Sequence, residues 1–128
     1  MMMNARATYL DASIATASPA RLLVMLYERL VLDVQRGLDA QEQGRVEETH
    51  RQLTHAQDIV MELHSSLRTD GFKGAGELAA LYGYLHQQLV LANMRKDVGI
   101  TRECLRIVTD LCDTWRQAAL ESTMAKGA

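Results

Sequence analysis

The sequence contains little that interrupts a helix and little that concentrates charge. Its 128 residues include one proline and two cysteines, and 14 Lys and Arg against 16 Asp and Glu give a net charge of −2. Without a basic patch to neutralise phosphates, nucleic-acid binding is not expected. No apolar run reaches the roughly 18 residues that span a bilayer, so membrane insertion is not expected either.

The N-terminal residues lack the features of a secretory signal. Residues 1–8 carry one Arg and no long apolar stretch, and Asp11 places a charge shortly after them. Cys104 and Cys112 lie on one predicted helix at a separation of about 12 Å, because each residue adds about 1.5 Å of rise. That distance is too long for a disulfide. We therefore expect a cytoplasmic protein whose cysteines are small apolar core residues.

The residues that are abundant are those of helices. Long stretches are rich in Leu, Ala, Gln, Glu and Arg, and no strand-like alternation occurs. Ser18 and Pro19 are predicted to start the first helix, with Ser18 as its cap and Pro19 in its first turn. Gly44 is predicted to end that helix, and Asp97 to cap the last one.

The pattern predicts an all-α fold, an antiparallel up-and-down four-helix bundle with short connections. The bundle is expected over residues 18–120, with residues 1–17 as an N-terminal arm and residues 121–128 as a flexible tail. An extra short helix within the arm is an alternative. The four helices are predicted at about 19–43, 45–69, 75–95 and 98–120.

Few polar residues suggest catalysis or metal binding. Glu47 and His50 have the Glu-x-x-His spacing of di-iron bundles, but such a site needs a second copy and further glutamates, which the chain lacks. His55 and His86 each suit an exposed phosphotransfer histidine, although solvation is the commoner fate of a histidine on a polar helix face. We predict that the protein is not an enzyme and holds no metal or cofactor, and retain histidine phosphotransfer as an alternative.

Helix one contains more apolar residues than a bundle can bury. Residues 22–27 (LLVMLY) are consecutive and apolar, so at 100° per residue they cover the whole circumference of the helix. Apolar surface outside the core usually marks a partner site. Two alternatives remain. The surface could be sealed by Tyr9, Leu10 and Ile14 of the arm, or by self-association as a homodimer.

Several stretches together resemble one known family, the flagellar secretion chaperone FliS. The resemblance starts at Tyr9-Leu10 and is most specific over residues 16–28 (TASPARLLVMLYE). It continues through residues 56–60 (AQDIV), 81–85 (LYGYL) and 91–93 (LAN) to Trp115. One departure is Arg29, where the family often has glycine, so that helix packing or partner contact is expected to differ there.

The resemblance implies a chaperone that binds the disordered C-terminal segment of flagellin, prevents its premature polymerisation and delivers it to the flagellar type III export gate. Anti-sigma or other flagellar assembly factors are further candidate partners. A helical adaptor without flagellin binding remains an alternative. On this interpretation Ser18 and Pro19 serve as a helix cap only. The predicted flagellin-binding residues are Leu22, Leu23, Leu26, Tyr27, Leu105 and Val108, with Tyr9, Leu10 and Ile14 of the arm occupying part of the same groove in the free protein.

Overall fold

The computed structural model describes residues 18–127, with side chains described for residues 18–122. Within these residues no strand occurs, and the predicted all-α fold is confirmed. The predicted arm, including its alternative short helix, lies outside the described residues. The helices are α1 (Pro19–Glu42), α2 (Val46–Ser66), α3 (Ala75–Arg95) and α4 (Val98–Gly127).

Both ends of α1 are capped by the residues that the sequence indicates. The Ser18 hydroxyl accepts a hydrogen bond from the Arg21 backbone N–H at 3.1 Å, and Pro19 follows in the first turn. At the other end Gly44 adopts a φ of +70°, a conformation that glycine reaches without steric cost. The Arg45 N–H then bonds the Ala40 carbonyl at 2.8 Å, which closes the helix.

α2 ends at Ser66, three residues before the predicted end. The Ser66 hydroxyl donates to the Leu63 carbonyl at 3.2 Å, and this side-chain bond competes with continuation of the backbone ladder. Leu67 then takes an extended backbone and packs against the core. After α3, Lys96 adopts a φ of +50°, and the Asp97 carboxylate caps α4 by accepting from the Ile100 N–H at 3.2 Å.

α4 continues to Gly127, seven residues beyond the predicted end near Leu120. Residues 121–126 contain neither proline nor glycine, and all of them are compatible with a helix. Gly127 is the first glycine after Leu120. Ala128 lies outside the described residues.

The helices form a closed ring in which α1 and α3 each pack between α2 and α4. Neighbouring helices run antiparallel, as the order of their contacts shows. Along α1 and α4, Glu28 pairs with Arg116, whereas the later Glu42 pairs with the earlier Arg102. A Cβ atom on Gly37 of α1 would lie 2.6 Å from Leu53 of α2, so these two helices approach closely there.

The core follows the ring axis. Its buried members include an aromatic pair, in which the Tyr27 and Tyr82 hydroxyl groups are hydrogen-bonded, and both cysteines. Burial raises the pKa of the Cys104 thiol to about 12 and also raises that of Cys112. The fraction of reactive thiolate at neutral pH is therefore very small. The cysteines are core residues, as predicted.

Candidate partner-binding surface

The apolar run of α1 is divided between core and surface. Val24 and Tyr27 are buried, and Leu23 and Leu26 are partly buried against the core. The remaining two residues of the run stay exposed because the bundle covers only the inner side of the helix, and Leu32 extends the exposed set. The exposed fractions are 37% for Leu22, 38% for Met25 and 38% for Leu32.

Polar contacts identify the two flanks of α1. On the α4 flank, Arg116 donates to Glu28 at 3.2 Å. On the α2 flank, Asp33 bonds His55. With 100° of rotation per residue, every side chain of α1 can be placed relative to these two contacts.

The predicted binding residues lie on different sides of the bundle. Leu26 is seven residues from Asp33, about two turns, and therefore lies on the α2 flank, whereas Leu22, one turn earlier, lies between this flank and the exposed side of α1. Leu105 is eleven residues from Arg116, about three turns, and therefore faces α1 from α4. The structure does not bring these residues into a single groove.

Tyr27 and Val108 are core residues rather than surface residues. Both side chains are 0% exposed. The Tyr27 ring stacks on Trp115, with centroids 6.4 Å apart, and its hydroxyl bonds Tyr82. In the free bundle these two residues therefore belong to the core, and their role in a partner groove stays a prediction, because apolar periodicity alone does not distinguish the core side of a helix from a partner side.

An open groove of about 740 Å³ lies between the start of α1 and the end of α4. Leu120, 55% exposed, and the buried Val24 contribute its apolar wall. Ser18, the first residue that the structure describes, lines it as well. The sequence did not indicate it, because its two walls are about a hundred residues apart in the chain.

A smaller cavity of about 180 Å³ lies where the α2–α3 loop meets α1 and α4. Phe72 of the loop is 46% exposed and meets Trp115 edge-on, with centroids 6.3 Å apart. Leu23 and Leu67 supply aliphatic walls. Leu23 is thus a predicted binding residue that lines this cavity.

A buried carboxylate on α1 is the main polar feature that the sequence pattern did not predict. Asp33 is 0% exposed, and its oxygens are bonded by Arg29 Nε, at 3.0 Å, and by His55 Nδ1. The signal was an acidic residue within the aliphatic stretch 30–34 (LVLDV), four residues after an arginine. A buried acid is expected to have such partners because desolvating an unpaired carboxylate is costly.

The histidines occupy separate environments. His55 bonds the buried Asp33, and His50 lies 2.8 Å from the Asn93 amide nitrogen. Glu47 is exposed on the surface near the start of α2. In the part of the chain that the structure describes, no three His, Cys, Asp or Glu side chains form a group that could hold a metal ion.

The fold matches that of a solved flagellar chaperone. A crystal structure described as a flagellar chaperone from bacteria superposes with a TM-score of 0.73 at 21% identity, covering 94% of this chain and 99% of that chain. Among the helices of residues 18–127, none has the length and apolar character to cross a membrane. The chain therefore shares the helical-bundle fold of that structure.

Sequence comparison gives the family. The family model described as Flagellar protein FliS matches residues 2–122. The flagellar secretion chaperone FliS of Bacillus subtilis (strain 168) is 32% identical over 117 residues, 91% of this chain and 87% of that protein. That of Vibrio cholerae is 28% identical over 108 residues, 84% of this chain and 79% of that protein. The chain belongs to the FliS family.

Proposed function

We propose that this chain is a cytoplasmic export chaperone that binds the disordered C-terminal segment of flagellin. Binding would prevent premature polymerisation, and the complex would deliver flagellin to the flagellar type III export gate. Membership of the FliS family supports the role. The observation that carries it is the apolar surface left on α1 at Leu22 and Met25, since a segment that folds on binding is stabilised by apolar burial.

The proposed binding surface combines the exposed side of α1 with its flanks. Leu22, Leu23 and Leu26 contact the client directly, and Leu105 extends the surface toward α4. Tyr27 and Val108 support these contacts from the core. We further propose that in the free protein the arm residues Tyr9, Leu10 and Ile14 cover part of this apolar surface.

Calorimetric titration with a synthetic peptide tests the function. The peptide comprises about the last forty residues of the host flagellin, and one-to-one binding with a large negative heat-capacity change is expected. Leu22→Asp should weaken binding on the order of tenfold, because an apolar side chain contributes about 1.5–3 kcal/mol when fully buried. Met61→Asp is the matched control, since Met61 is an exposed apolar residue of α2.

The two variants separate the outcomes of this titration. Equal weakening by both would show a general effect of added negative charge rather than a site at Leu22. A folded wild-type sample that gives no heat at several temperatures would contradict flagellin binding and favour a self-associating adaptor. Sedimentation over a dilution series would then identify that alternative by a mass that falls on dilution.

Deletion of residues 1–17 tests the arm. If the arm competes with the client, its removal raises peptide affinity, because the surface no longer has to be vacated. Unchanged affinity of the truncated chain, with an unchanged heat of binding, would show that the arm does not cover the site. Binding to export-gate components or to other flagellar assembly factors can be measured with the same two forms of the protein.

A further inference from the structure

Arg29 is an exposed guanidinium held in place by a buried acid. Its Nε donates to Asp33 Oδ1 at 3.0 Å, and its side chain is 51% exposed while that of Asp33 is 0% exposed. The second oxygen of Asp33 is bonded by His55 from α2, which fixes the carboxylate from the other side. Because Asp33 is fixed, the position of the Arg29 side chain on the bundle surface is fixed as well.

The other end of the guanidinium remains available. An arginine has five N–H donors, of which Nε carries one, so four remain on the two Nη atoms. No carboxylate or carbonyl of the described residues bonds these Nη atoms. By contrast, Arg102, Arg106 and Arg116 each use an Nη atom to bind an acid within the bundle. Arg29 thus presents a planar pair of donors outward, suited to a carboxylate.

Exposed apolar residues flank this cation along one side of α1. Leu22, Met25 and Leu32 are separated from Arg29 by seven, four and three residues, spacings that place all four on the outward face. The stripe extends over about 15 Å, or nearly three helical turns. A helix packed along it would place apolar residues one turn before and one turn after the position opposite Arg29.

We propose that Arg29 binds a carboxylate of the flagellin segment, in an amphipathic helix whose apolar residues pack on Leu22, Met25 and Leu32. The inference rests on the proposed function and adds to it a specificity-determining contact. Charge complementarity favours this occupant, since a carboxylate carries the opposite charge and has two oxygens that match the two Nη atoms. Asp33 is a positioning residue in this arrangement and does not touch the client.

Arg29→Gln is the variant that tests the contact with least disturbance of the fold. Elsewhere on α1, Gln35 donates from Nε2 to Asp39 at 3.0 Å across the same four-residue spacing. A glutamine at position 29 is therefore able to bond Asp33, while it loses the charge and the second nitrogen that the client carboxylate requires. Urea denaturation of the variant checks that the fold is retained.

The probe is the flagellin peptide together with variants in which each Asp or Glu is replaced singly by Asn or Gln. We expect Arg29→Gln to weaken binding of the parent peptide on the order of tenfold, the effect of losing a charge-assisted pair. One of the singly substituted peptides should bind the wild-type chaperone about as weakly as the parent peptide binds Arg29→Gln. That peptide should bind wild type and Arg29→Gln equally, because the paired group is already missing.

Three results would overturn the proposal. The first is unchanged parent-peptide affinity in Arg29→Gln, which leaves flagellin binding itself intact. The second is an equal loss in Arg95→Gln, an exposed α3 arginine on another side of the bundle, which would show a general charge effect. The third is a wild-type protein that is a dimer in solution and an Arg29→Glu variant that is a monomer, which would place Arg29 in an interface between two copies of the chain. Failure of the wild-type chaperone to bind any peptide would instead contradict the proposed function, and the role of Arg29 with it.

Discussion

At the scale of single residues, the burial of Asp33 determines how much each substitution in its cluster should cost in stability. Arg29 and His55, its partners, are about half exposed, so water can solvate them if the acid is removed, whereas the acid has no contact with water. The free-energy cost of breaking the cluster is therefore asymmetric. Removing Arg29 or His55 leaves the buried carboxylate of Asp33 with fewer hydrogen-bond donors. Removing Asp33 leaves only half-exposed groups, which water can solvate.

We predict that His55→Ala lowers the free energy of unfolding by about 1–3 kcal/mol, because it leaves one oxygen of the buried Asp33 without a donor. Asp33→Leu is expected to be neutral or stabilising, since an apolar side chain of similar volume avoids the desolvation of a carboxylate. Urea denaturation at a fixed pH measures both. A larger loss in Asp33→Leu than in His55→Ala would show that the ion pair itself stabilises the bundle.

At the scale of helices, the ends of the elements are set by local chemistry, and the ends of α1 were predicted on that basis. Ser18 accepts the bond expected of a cap, and Gly44 has the positive φ expected of a terminator. The end of α2 was predicted three residues late, because neither the bond of the Ser66 hydroxyl to Leu63 nor the packing of Leu67 against the core was anticipated. The sequence predicts a helix end most closely where a capping side chain or a glycine ends the helix without a tertiary contact.

Ser18→Ala should lower the free energy of unfolding by about 1 kcal/mol through loss of the bond to the Arg21 N–H. Flagellin-peptide affinity should stay unchanged, since Ser18 is assigned to the cap and not to the client. The two quantities are measured on the same sample by denaturation and calorimetry. Weaker binding with unchanged stability would contradict that assignment.

Two glycines within helices should respond oppositely to alanine. Gly83 is exposed on α3 with nothing within 4 Å of an added Cβ atom, so Gly83→Ala should stabilise by about 0.5–1 kcal/mol. Gly37→Ala, the matched control, places its Cβ atom 2.6 Å from the buried Leu53 side chain and should destabilise by about 1–3 kcal/mol. If Gly83→Ala weakened peptide binding, close approach of a partner backbone would explain the glycine.

At the scale of the whole molecule, the aromatic residues connect all four helices and the α2–α3 loop. Tyr27 of α1 bonds Tyr82 of α3 and stacks on Trp115 of α4, while His64 of α2 lies 6.1 Å from the Tyr82 ring. Burial raises the pKa of both tyrosine hydroxyl groups. The hydroxyl pair therefore stays neutral under physiological conditions.

We expect one cooperative unfolding transition. The chain has a single tryptophan, Trp115, whose fluorescence reports on the aromatic cluster, while far-ultraviolet circular dichroism reports on all helices. Because the helices share one core, the two signals should change at the same urea concentration. Separate midpoints would show that the end of the bundle around Phe72 and Trp115 unfolds independently of the rest.

The sequence by itself determined the number of helices, the caps at Ser18 and Asp97, and an apolar excess on α1, because these depend on residues within a few positions of each other. The tertiary structure decided which apolar residues face inward. Tyr27 and Val108 entered the core, Leu22 stayed exposed, and Asp33 was buried beside His55. Burial and pairing of this kind arise between segments far apart in the chain, and a local pattern does not contain that information.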